Sequence, residues 1–301
     1  MKILAAVVTY NRGPLLDRCL NHLILQSRMP DEVYVVNNGS TDNTLEVIKK
    51  YDINHTTQEN LGSAGGWHTA IEYALQNNFD AIWLMDDDGF PANDALQILE
   101  SSISDEYACV SSIVVKENNE NEFVFKFPKI KRHSFSDYLF RTKIHSLKEL
   151  KSYAINNTYP FVHLFNGALI SMHHIRKVGN VNKDFFMYGD ETDFYFRLSN
   201  SGFVVSKLNA KHFHPDVLDR TYSDLRIYYH IKNNIILYYK YYSFKYIRMV
   251  LGPLIVLKRV YLTNGFKYVL SLILGKKSKI FYLAIFRGFA LRIGKDFEQK
   301  K

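Results

Sequence analysis

The first hundred residues alternate between strand-like and helix-like patterns, and this alternation constrains the fold more than any other feature of the sequence. Apolar runs typical of buried strands lie at Ile3–Thr9, Glu32–Asn37 and 81–85. Segments with helical spacing of apolar residues lie at 14–26, 45–48, 65–76 and 91–102. This βαβα order predicts an α/β fold, in which helices flank a mainly parallel sheet on both faces. Ligands of such sheets bind at the carboxyl ends of the strands.

The pattern weakens further along the chain. Residues 116–160 predict a loop-rich insertion, which is followed by a strand at 165–171, a helix at 192–200 and a short strand at 203–208. The composition, 47% hydrophobic and 23% charged, is typical of a globular protein. Two cysteines are too few for a disulfide framework and indicate a reducing compartment. Because the first eight residues lack the long apolar region of a secretion signal, we expect a cytoplasmic protein.

The last quarter of the chain differs from the rest in charge. Residues 225–301 hold 16 Lys and Arg against two acids, a net charge of +14, whereas the remainder carries −6. Ten of the 21 tyrosines also lie there. We therefore divide the chain into an α/β domain at 1–224 and a basic, aromatic, helical region at 225–301. The apolar runs of this region, such as 249–257, are shorter than the roughly 20 residues of a bilayer crossing, so they predict amphipathic helices on an anionic membrane surface.

Other partners of the region at 225–301 remain open. Its apolar faces could instead pack on the first domain or on a second subunit, with the cations simply solvated. A homo-oligomer is therefore one of the alternatives. Nucleic acid is not expected, because no recognised nucleic-acid-binding motif accompanies the positive charge.

Three consecutive aspartates, Asp86, Asp87 and Asp88, follow the predicted strand at 81–85. Adjacent carboxylates repel one another, so a cation is expected among them. In an extended segment Asp86 and Asp88 point to the same side, and paired carboxylate oxygens suit Mg²⁺ or Mn²⁺ bound to a diphosphate. The alternative is a solvated acidic loop before the next helix.

Weaker motifs lie at other strand ends and helix starts. The polar turn at 37–42 suits a helix N-cap, and its side chains could also hold a nucleotide. Glycines at 60–66, including Gly65, permit close approach to a phosphate or sugar, although a flexible loop is an equal alternative. Asp190 and Glu191 open a predicted helix, where acids are favoured by the helix dipole and where one could serve as a general base. His212 and His214 follow the strand at 203–208; a single histidine is usually structural, whereas two at this spacing favour a metal ligand.

Taken together and in order, these motifs resemble family-2 glycosyltransferases of the GT-A, Rossmann-like fold. The resemblance runs from about residue 3 to about residue 237, and it carries the motifs at 8–12, 37–42, 60–66, 86–88, 189–197 and His214. A later segment at 228–233 also resembles one that follows the catalytic domain in this family. Within the family, the residues at 84–88 and 188–191 are most similar to those of galactofuranosyl- and rhamnosyltransferases.

The resemblance implies a role for each site residue. Thr9 and Arg12 would lie beside the nucleotide, Asn37 near its base, and Asp87 against the donor. Asp86 and Asp88 would hold the metal ion, with His214 as the third protein ligand. Glu191 would be the catalytic base, and Asp190 is its rival, since the family usually has Asp at the position of Glu191.

The implied activity is transfer of a sugar, galactofuranose or rhamnose, from a nucleotide diphosphate donor to a glycan or lipid-linked acceptor, with inversion. A divalent cation, Mn²⁺ or Mg²⁺, is the implied cofactor. The expected location is the cytoplasmic face of a membrane, in the synthesis of cell-surface polysaccharide. The alternative from another class is a non-catalytic nucleotide-sugar-binding or membrane-scaffold protein on the same fold. A nucleotidyltransferase is a weaker rival, because Arg12 is the only cation in the motif after the first strand.

Overall fold

A computed structural model describes residues 1–130, 142–216 and 221–297. The strands are β1 (Ile3–Thr9), β2 (Glu32–Asn37), β3 (Asn54–Thr57), β4 (Ala81–Asp86), β5 (Phe90–Pro91), β6 (Tyr107–Lys116), β7 (Asn119–Pro128), β8 (Lys143–Ser146), β9 (Thr158–Tyr159), β10 (Asn166–Ser171) and β11 (Phe203–His214). The helices are α1 (Gly13–Ile24), α2 (Thr44–Lys50), α3 (Gly62–Gln76), α4 (Ala95–Glu100), α5 (Leu147–Lys151), α6 (Met172–Val178), α7 (Asp190–Ser199), α8 (Asp224–Tyr241), α9 (Lys245–Asn264), α10 (Phe266–Ile273) and α11 (Ser278–Phe289).

One large sheet runs through the α/β part, in the strand order β3-β2-β1-β4-β10-β6-β11-β5. The first four strands are parallel, as are β6 and β11, whereas β10 lies antiparallel between β4 and β6. The predicted α/β class with flanking helices is confirmed, and the antiparallel β10 makes the sheet mixed. In the parallel part Thr9 pairs with Asn37, and Val8 pairs with Asp86. The polar residues at three strand ends therefore meet at one edge.

Successive side chains of a strand point to opposite faces of the sheet, and apolar side chains are buried on both faces. Leu4, Ala6 and Val8 of β1 pack in a cluster with α3, and the intervening β1 residues pack in a second cluster with α1 and α4. The two cysteines, Cys19 and Cys109, are buried and free. Helices therefore cover both faces, and the site is left at the strand ends.

Three elements differ from the sequence prediction. Pro91, predicted in the first turn of a helix, pairs in β5 with His212 of β11, and α4 begins only at Ala95. The predicted short strand at 203–208 continues to His214, because its polar residues alternate with buried ones. The two histidines thus lie on the strand rather than after it.

The predicted loop-rich insertion at 116–160 is largely regular where the structure describes it. β7 pairs with β6 and β8, and α5 packs beneath them. Residues 131–141 of this segment lie outside the described residues. The hairpin was missed because β7 begins with an exposed, polar stretch that lacks an apolar alternation.

Helix α8 joins the carboxyl-terminal helices to the α/β part. Its Ile236 and Leu237 belong to the main core, whereas Tyr228 and Ile231 pack with α9 and α11. Lys232 is completely buried, and its Nζ donates to Asp296 Oδ2 at 2.5 Å and to the Gly294 carbonyl at 2.7 Å. The end of the described chain is thus tied to α8.

The outer faces of α9, α10 and α11 expose many large apolar side chains. They are Tyr246, Ile247, Val250, Leu254, Ile255, Tyr261, Leu262, Phe266, Leu270, Tyr282, Phe286 and Phe289. Among the described residues, no helix combines the length and the apolar character needed to cross a bilayer.

Candidate active site

The three aspartates lie at the carboxyl end of β4, beside the end of β1. Thr9 Oγ1 donates to Asp87 Oδ2 at 2.7 Å. Arg12 Nη1 donates both to Asp87 Oδ1 at 2.8 Å and to Asp88 Oδ2 at 2.7 Å. One guanidinium therefore serves two carboxylates, and Asp86 lies next to them. Burial and the charges of Asp88 and Asp87 raise the pKa of Asp86 well above its ordinary value, although Arg12 opposes the shift.

His214 completes this group from the end of β11. Its Nε2 lies 3.0 Å from Asp88 Oδ1, and both side chains are buried. Its Nδ1 lies 2.7 Å from the Pro215 carbonyl, which can only accept, so Nδ1 carries a hydrogen. Nε2 of the neutral ring would then point a lone pair at a carboxylate oxygen. Such an arrangement needs a proton or a metal ion between the two atoms, and a backbone carbonyl behind the ring is the usual support of a metal-bound histidine.

The donor chemistry of this cluster fits a divalent cation. Asp86 and Asp88 offer carboxylate oxygens, and His214 offers an imidazole nitrogen. Mn²⁺ binds both kinds of ligand, whereas Mg²⁺ prefers the oxygens. Arg12 pairs with Asp87 and Asp88, while burial and the charges of these two acids oppose ionisation of Asp86, so a cation beside Asp86 would be favoured. Within the described residues, no three metal-ligating side chains are already arranged around one point. The residues thus suit the ion, and their roles as ligands stay a prediction.

A strained loop precedes the acidic pair at the start of α7. Phe186, Tyr188 and Gly189 all have positive φ angles, of 63°, 56° and 109°, which cost free energy at the two aromatic residues. Asn233 of α8 compensates for this strain: its buried Nδ2 donates to the carbonyls of Phe185, Met187 and Tyr188 at 3.0, 2.9 and 2.7 Å. Helix α8 thereby sets where α7 begins.

Asp190 and Glu191 occupy the first turn of α7. Asp190 is buried and accepts from Ser63 Oγ at 3.1 Å, whereas Glu191 is partly exposed and accepts from the Leu164 amide at 2.8 Å. Burial raises the pKa of Asp190 to about 6. Burial and then the charge of Asp190 raise the pKa of Glu191 to about 7, where a carboxylate is a competent base at neutral pH. The Phe165 carbonyl, next along the chain from Leu164, accepts from the Asp86 amide at 2.8 Å, so Glu191 lies toward the aspartate cluster.

A cavity of about 480 Å³ opens at this group. Its lining joins the aspartate cluster to aromatic and cationic residues from later in the chain: Arg12, Asp86, Asp88, Phe125, Tyr188, His214, Tyr222, Arg226 and Arg259. This volume suits a small polar ligand.

The structure thus brings most of the predicted site residues together. Thr9, Arg12, Asp87 and Asp88 are in contact through hydrogen bonds and ion pairs, His214 joins them through Asp88, and Asp86 lines the same cavity. Their roles toward a donor or metal ion stay predictions.

Two predicted donor-binding residues have structural tasks. The Asn37 side chain accepts from the Ser40 amide at 3.0 Å and so holds the turn after β2. A Cβ at Gly65 would lie 2.3 Å from Leu61 Cβ, so packing alone requires glycine there. Their contacts with a donor stay predictions.

Sequence reasoning did not identify several residues of the cavity. Arg226 and Arg259 were counted only as part of the basic tail, and Phe125 fell in the predicted loop-rich insertion. Tyr188 belongs to the motif at 188–191, but the sequence assigned it no role in the site. The role of Asn233 carried no local signal, since its three carbonyl partners lie more than forty residues earlier.

Comparison with known proteins agrees with this geometry. Residues 5–164 match the family described as glycosyl transferase family 2. The galactofuranosyltransferase GlfT1 of Mycolicibacterium smegmatis is 30% identical over 220 residues, which cover 71% of this chain and 70% of that protein. GlfT1 of Mycobacterium tuberculosis strain H37Rv is 29% identical over 222 residues, with the same coverage.

Two solved structures share the fold over nearly the whole chain. The mannosyltransferase PcManGT from Pyrobaculum calidifontis, in complex with GDP-Man and Mn²⁺, has a TM-score of 0.54 at 16% identity and covers 96% of this chain and 80% of its own. S. aureus TarS 1-349 in complex with UDP has a TM-score of 0.53 at 16% identity and covers 97% of this chain and 83% of its own. At 16% sequence identity, these two structural matches show the GT-A fold and nothing more specific. The family match over more than half of the residues, together with the identity to GlfT1, shows that the chain belongs to glycosyl transferase family 2.

Proposed function

We propose that this glycosyltransferase moves galactofuranose, or in second place rhamnose, from a nucleotide diphosphate donor to a hydroxyl of a glycan or lipid-linked acceptor, in the synthesis of cell-surface polysaccharide. The observation that carries the proposal is the position of Glu191: its carboxylate accepts from the Leu164 amide, and the carbonyl of the next residue, Phe165, accepts from the Asp86 amide, so Glu191 lies near the aspartate cluster. The identity to GlfT1 supports the choice of galactofuranose.

The chemistry follows from these side chains. Glu191 removes the proton of the acceptor hydroxyl while the oxygen attacks the anomeric carbon, and the carbon–oxygen bond to the donor phosphate breaks on the opposite face, so the centre is inverted. The leaving nucleoside diphosphate carries the electron pair away. Asp86, Asp88 and His214 would hold a divalent cation, which when bound neutralises the charge that builds on the diphosphate. Arg12, held by Asp87 and Asp88, fixes the cluster in place.

A panel of donors tests the proposed substrate. We expect release of nucleoside diphosphate from UDP-galactofuranose with Mn²⁺, a weaker response with a nucleotide-linked rhamnose, and none with nucleotide-linked glucose. The measurement is coupled detection of the released diphosphate, with and without a glycan acceptor. EDTA-treated enzyme is the control. Activity with nucleotide-linked glucose and with neither of the other two donors would refute the choice of sugar. Tight donor binding without any turnover would instead favour a non-catalytic binding protein.

We also propose that the exposed faces of α9, α10 and α11 lie on the cytoplasmic side of a membrane. The apolar side chains there are accompanied by the +14 charge of residues 225–301. Burying the apolar side chains would give affinity that salt does not weaken, and each Lys or Arg near an anionic surface would add about 1 kcal/mol that salt does weaken. The two free cysteines fit a reducing compartment.

Flotation with liposomes tests the membrane proposal. Truncation near residue 242 is a poor variant, because it would remove the Asp296 partner of the buried Lys232. We expect Leu254→Ser with Phe286→Ser to reduce flotation with anionic vesicles several-fold, since these side chains are 57% and 62% exposed. The matched control replaces Ile155 and Phe203, which are 74% and 60% exposed on the α/β part. Equal flotation of both double variants and the parent, or none by any, would contradict the proposal.

A further inference from the structure

Two arginines in the cavity have no partner among the described residues. Arg226 lies in the first turn of α8 and Arg259 near the end of α9. Across residues 1–130, 142–216 and 221–297, neither guanidinium makes a hydrogen bond or an ion pair. The nearest acid along α8, Asp224, is already bound by Lys277 Nζ at 2.7 Å. These two cations are therefore available to a ligand.

The position of Arg226 opposes local helix stability. A cation in the first turn of a helix faces the positive end of the dipole, which is unfavourable. The capping of this turn is supplied instead by Ser223, whose Oγ accepts from the Arg226 amide at 3.3 Å. A neutral residue at position 226 would therefore serve the start of α8 at least as well as arginine. A role in the cavity accounts for the arginine.

Unlike charges line this one cavity without touching. Asp86 ends β4 and Asp88 lies in the turn after it, whereas Arg226 and Arg259 come from α8 and α9. No ion pair within 4.0 Å joins these four described residues across the cavity. The space between them, part of about 480 Å³, is large enough for a ligand. Arginine guanidinium groups match phosphate oxygens in geometry and charge.

Three stacked rings lie beside these cations. His230 stacks on Tyr188 at 4.8 Å and on Tyr222 at 5.9 Å, and both tyrosines line the cavity. Burial, and then the charge of Arg259, lower the pKa of His230 to about 4, so the ring is neutral at physiological pH. The positive charge of this wall therefore comes from the two arginines.

The surface next to Arg259 is apolar. Ile255 and Leu262 lie four residues before and three residues after it, on the same face of α9, and they are 52% and 71% exposed. A phosphoryl group bound at Arg259 would thus have hydrocarbon-binding surface beside it. A nucleotide donor has no hydrocarbon chain, whereas a lipid-linked acceptor carries both a phosphoryl group and a hydrocarbon chain.

We propose that Arg226 and Arg259 bind the phosphoryl group of a lipid-linked acceptor, whose chain follows the exposed face of α9. The acceptor hydroxyl would then lie within the cavity, toward Glu191. This inference rests on the proposed glycosyl transfer, narrows its acceptor to the lipid-linked class and names the residues that would bind it. The same chemistry could serve the donor diphosphate, so the experiment separates the two sources.

The test uses the full chain and an Arg226→Gln/Arg259→Gln double variant. Two acceptors with the same sugar are compared, one on a lipid diphosphate and one on a neutral alkyl chain. We expect the KM for the phosphorylated acceptor to rise about 10- to 100-fold, as for loss of hydrogen bonds to a charged group, while the KM values for the neutral acceptor and for the donor stay unchanged. The matched control replaces Arg176 and Arg292, two exposed arginines outside the cavity lining. A higher KM for the donor with both acceptors equally affected would assign the arginines to the donor and overturn the proposal, as would no change at all.

Direct binding keeps this test independent of turnover. Inorganic pyrophosphate is titrated into the protein in EDTA by calorimetry, so that no metal ion at the aspartates contributes. We expect at least about tenfold weaker binding by the Arg226→Gln/Arg259→Gln variant and no change in the Arg176/Arg292 control. If the double variant binds pyrophosphate more weakly but the parent protein shows no transferase activity, the proposed function is refuted and the anion site stands. If the double variant binds pyrophosphate as tightly as the parent, the anion site itself is overturned.

Discussion

An Asp88→Asn variant is expected to lose transferase activity while it keeps its fold. The carboxylate of Asp88 accepts from Arg12 and faces His214 at 3.0 Å, so it lies at the centre of the predicted metal site. An amide of the same shape removes the charge that a divalent cation needs. We expect a fall in kcat/KM of at least about 10²- to 10³-fold, the range for loss of one strong electrostatic contact to a transition state.

The fold should survive this change for a physical reason. Arg12 pairs with both Asp87 and Asp88, so it keeps Asp87 as its partner when Asp88 is neutral. Thermal unfolding should therefore shift by only a few degrees, and Asp17→Asn, which loses an exposed ion pair with Lys50, is the control. Normal turnover by Asp88→Asn, or by the parent enzyme in EDTA, would rule out the metal site.

Glu191→Gln should retain donor binding and lose transfer. The amide keeps the shape of the side chain but cannot accept the proton of the acceptor, so we expect kcat to fall about 10²- to 10⁴-fold. Donor affinity measured by calorimetry separates this loss from a binding defect. If Asp190→Asn is the inactive variant and Glu191→Gln turns over normally, the roles of the two acids are exchanged.

The pH dependence gives a second test of the base. Because the pKa of Glu191 is about 7 and the base must be ionised, kcat/KM should fall as the pH drops below about 7. The neighbouring charge of Asp190 contributes to this raised pKa, so Asp190→Asn should move the acidic limb of the profile to lower pH. An acidic limb that stays in place in Asp190→Asn would contradict the assignment.

The part of the fold that local pattern determines was predictable from sequence. β1 and β2 have the bounds that their apolar runs predict, because residues buried on both faces leave a continuous apolar stretch. The pairing of β5 with β11 was not predictable, because Phe90 and Pro91 find their partners more than a hundred residues later. Proline in a two-residue edge strand also reads locally as the start of a helix.

The same distinction holds for the candidate site. The aspartates, Thr9 and Asn37 lie at the ends of predicted strands, and parallel pairing brings these ends to one edge of the sheet. Arg226 and Arg259 belong to helices whose placement depends on tertiary packing, so nothing in their local sequence separated them from the other tail cations. Their participation becomes visible only when α8 is docked.

The buried pair of Lys232 and Asp296 has a consequence for the order in which the protein can mature on the ribosome. Asp296 is synthesised 64 residues after Lys232, and until it emerges the ammonium of Lys232 has no carboxylate and α8 cannot settle at full depth. The neighbouring Asn233, one residue along the same helix, holds the strained loop before the acidic pair. The nascent chain can thus form its sheet early, yet it should acquire a competent active site only after residue 296 has left the ribosome and can dock on α8.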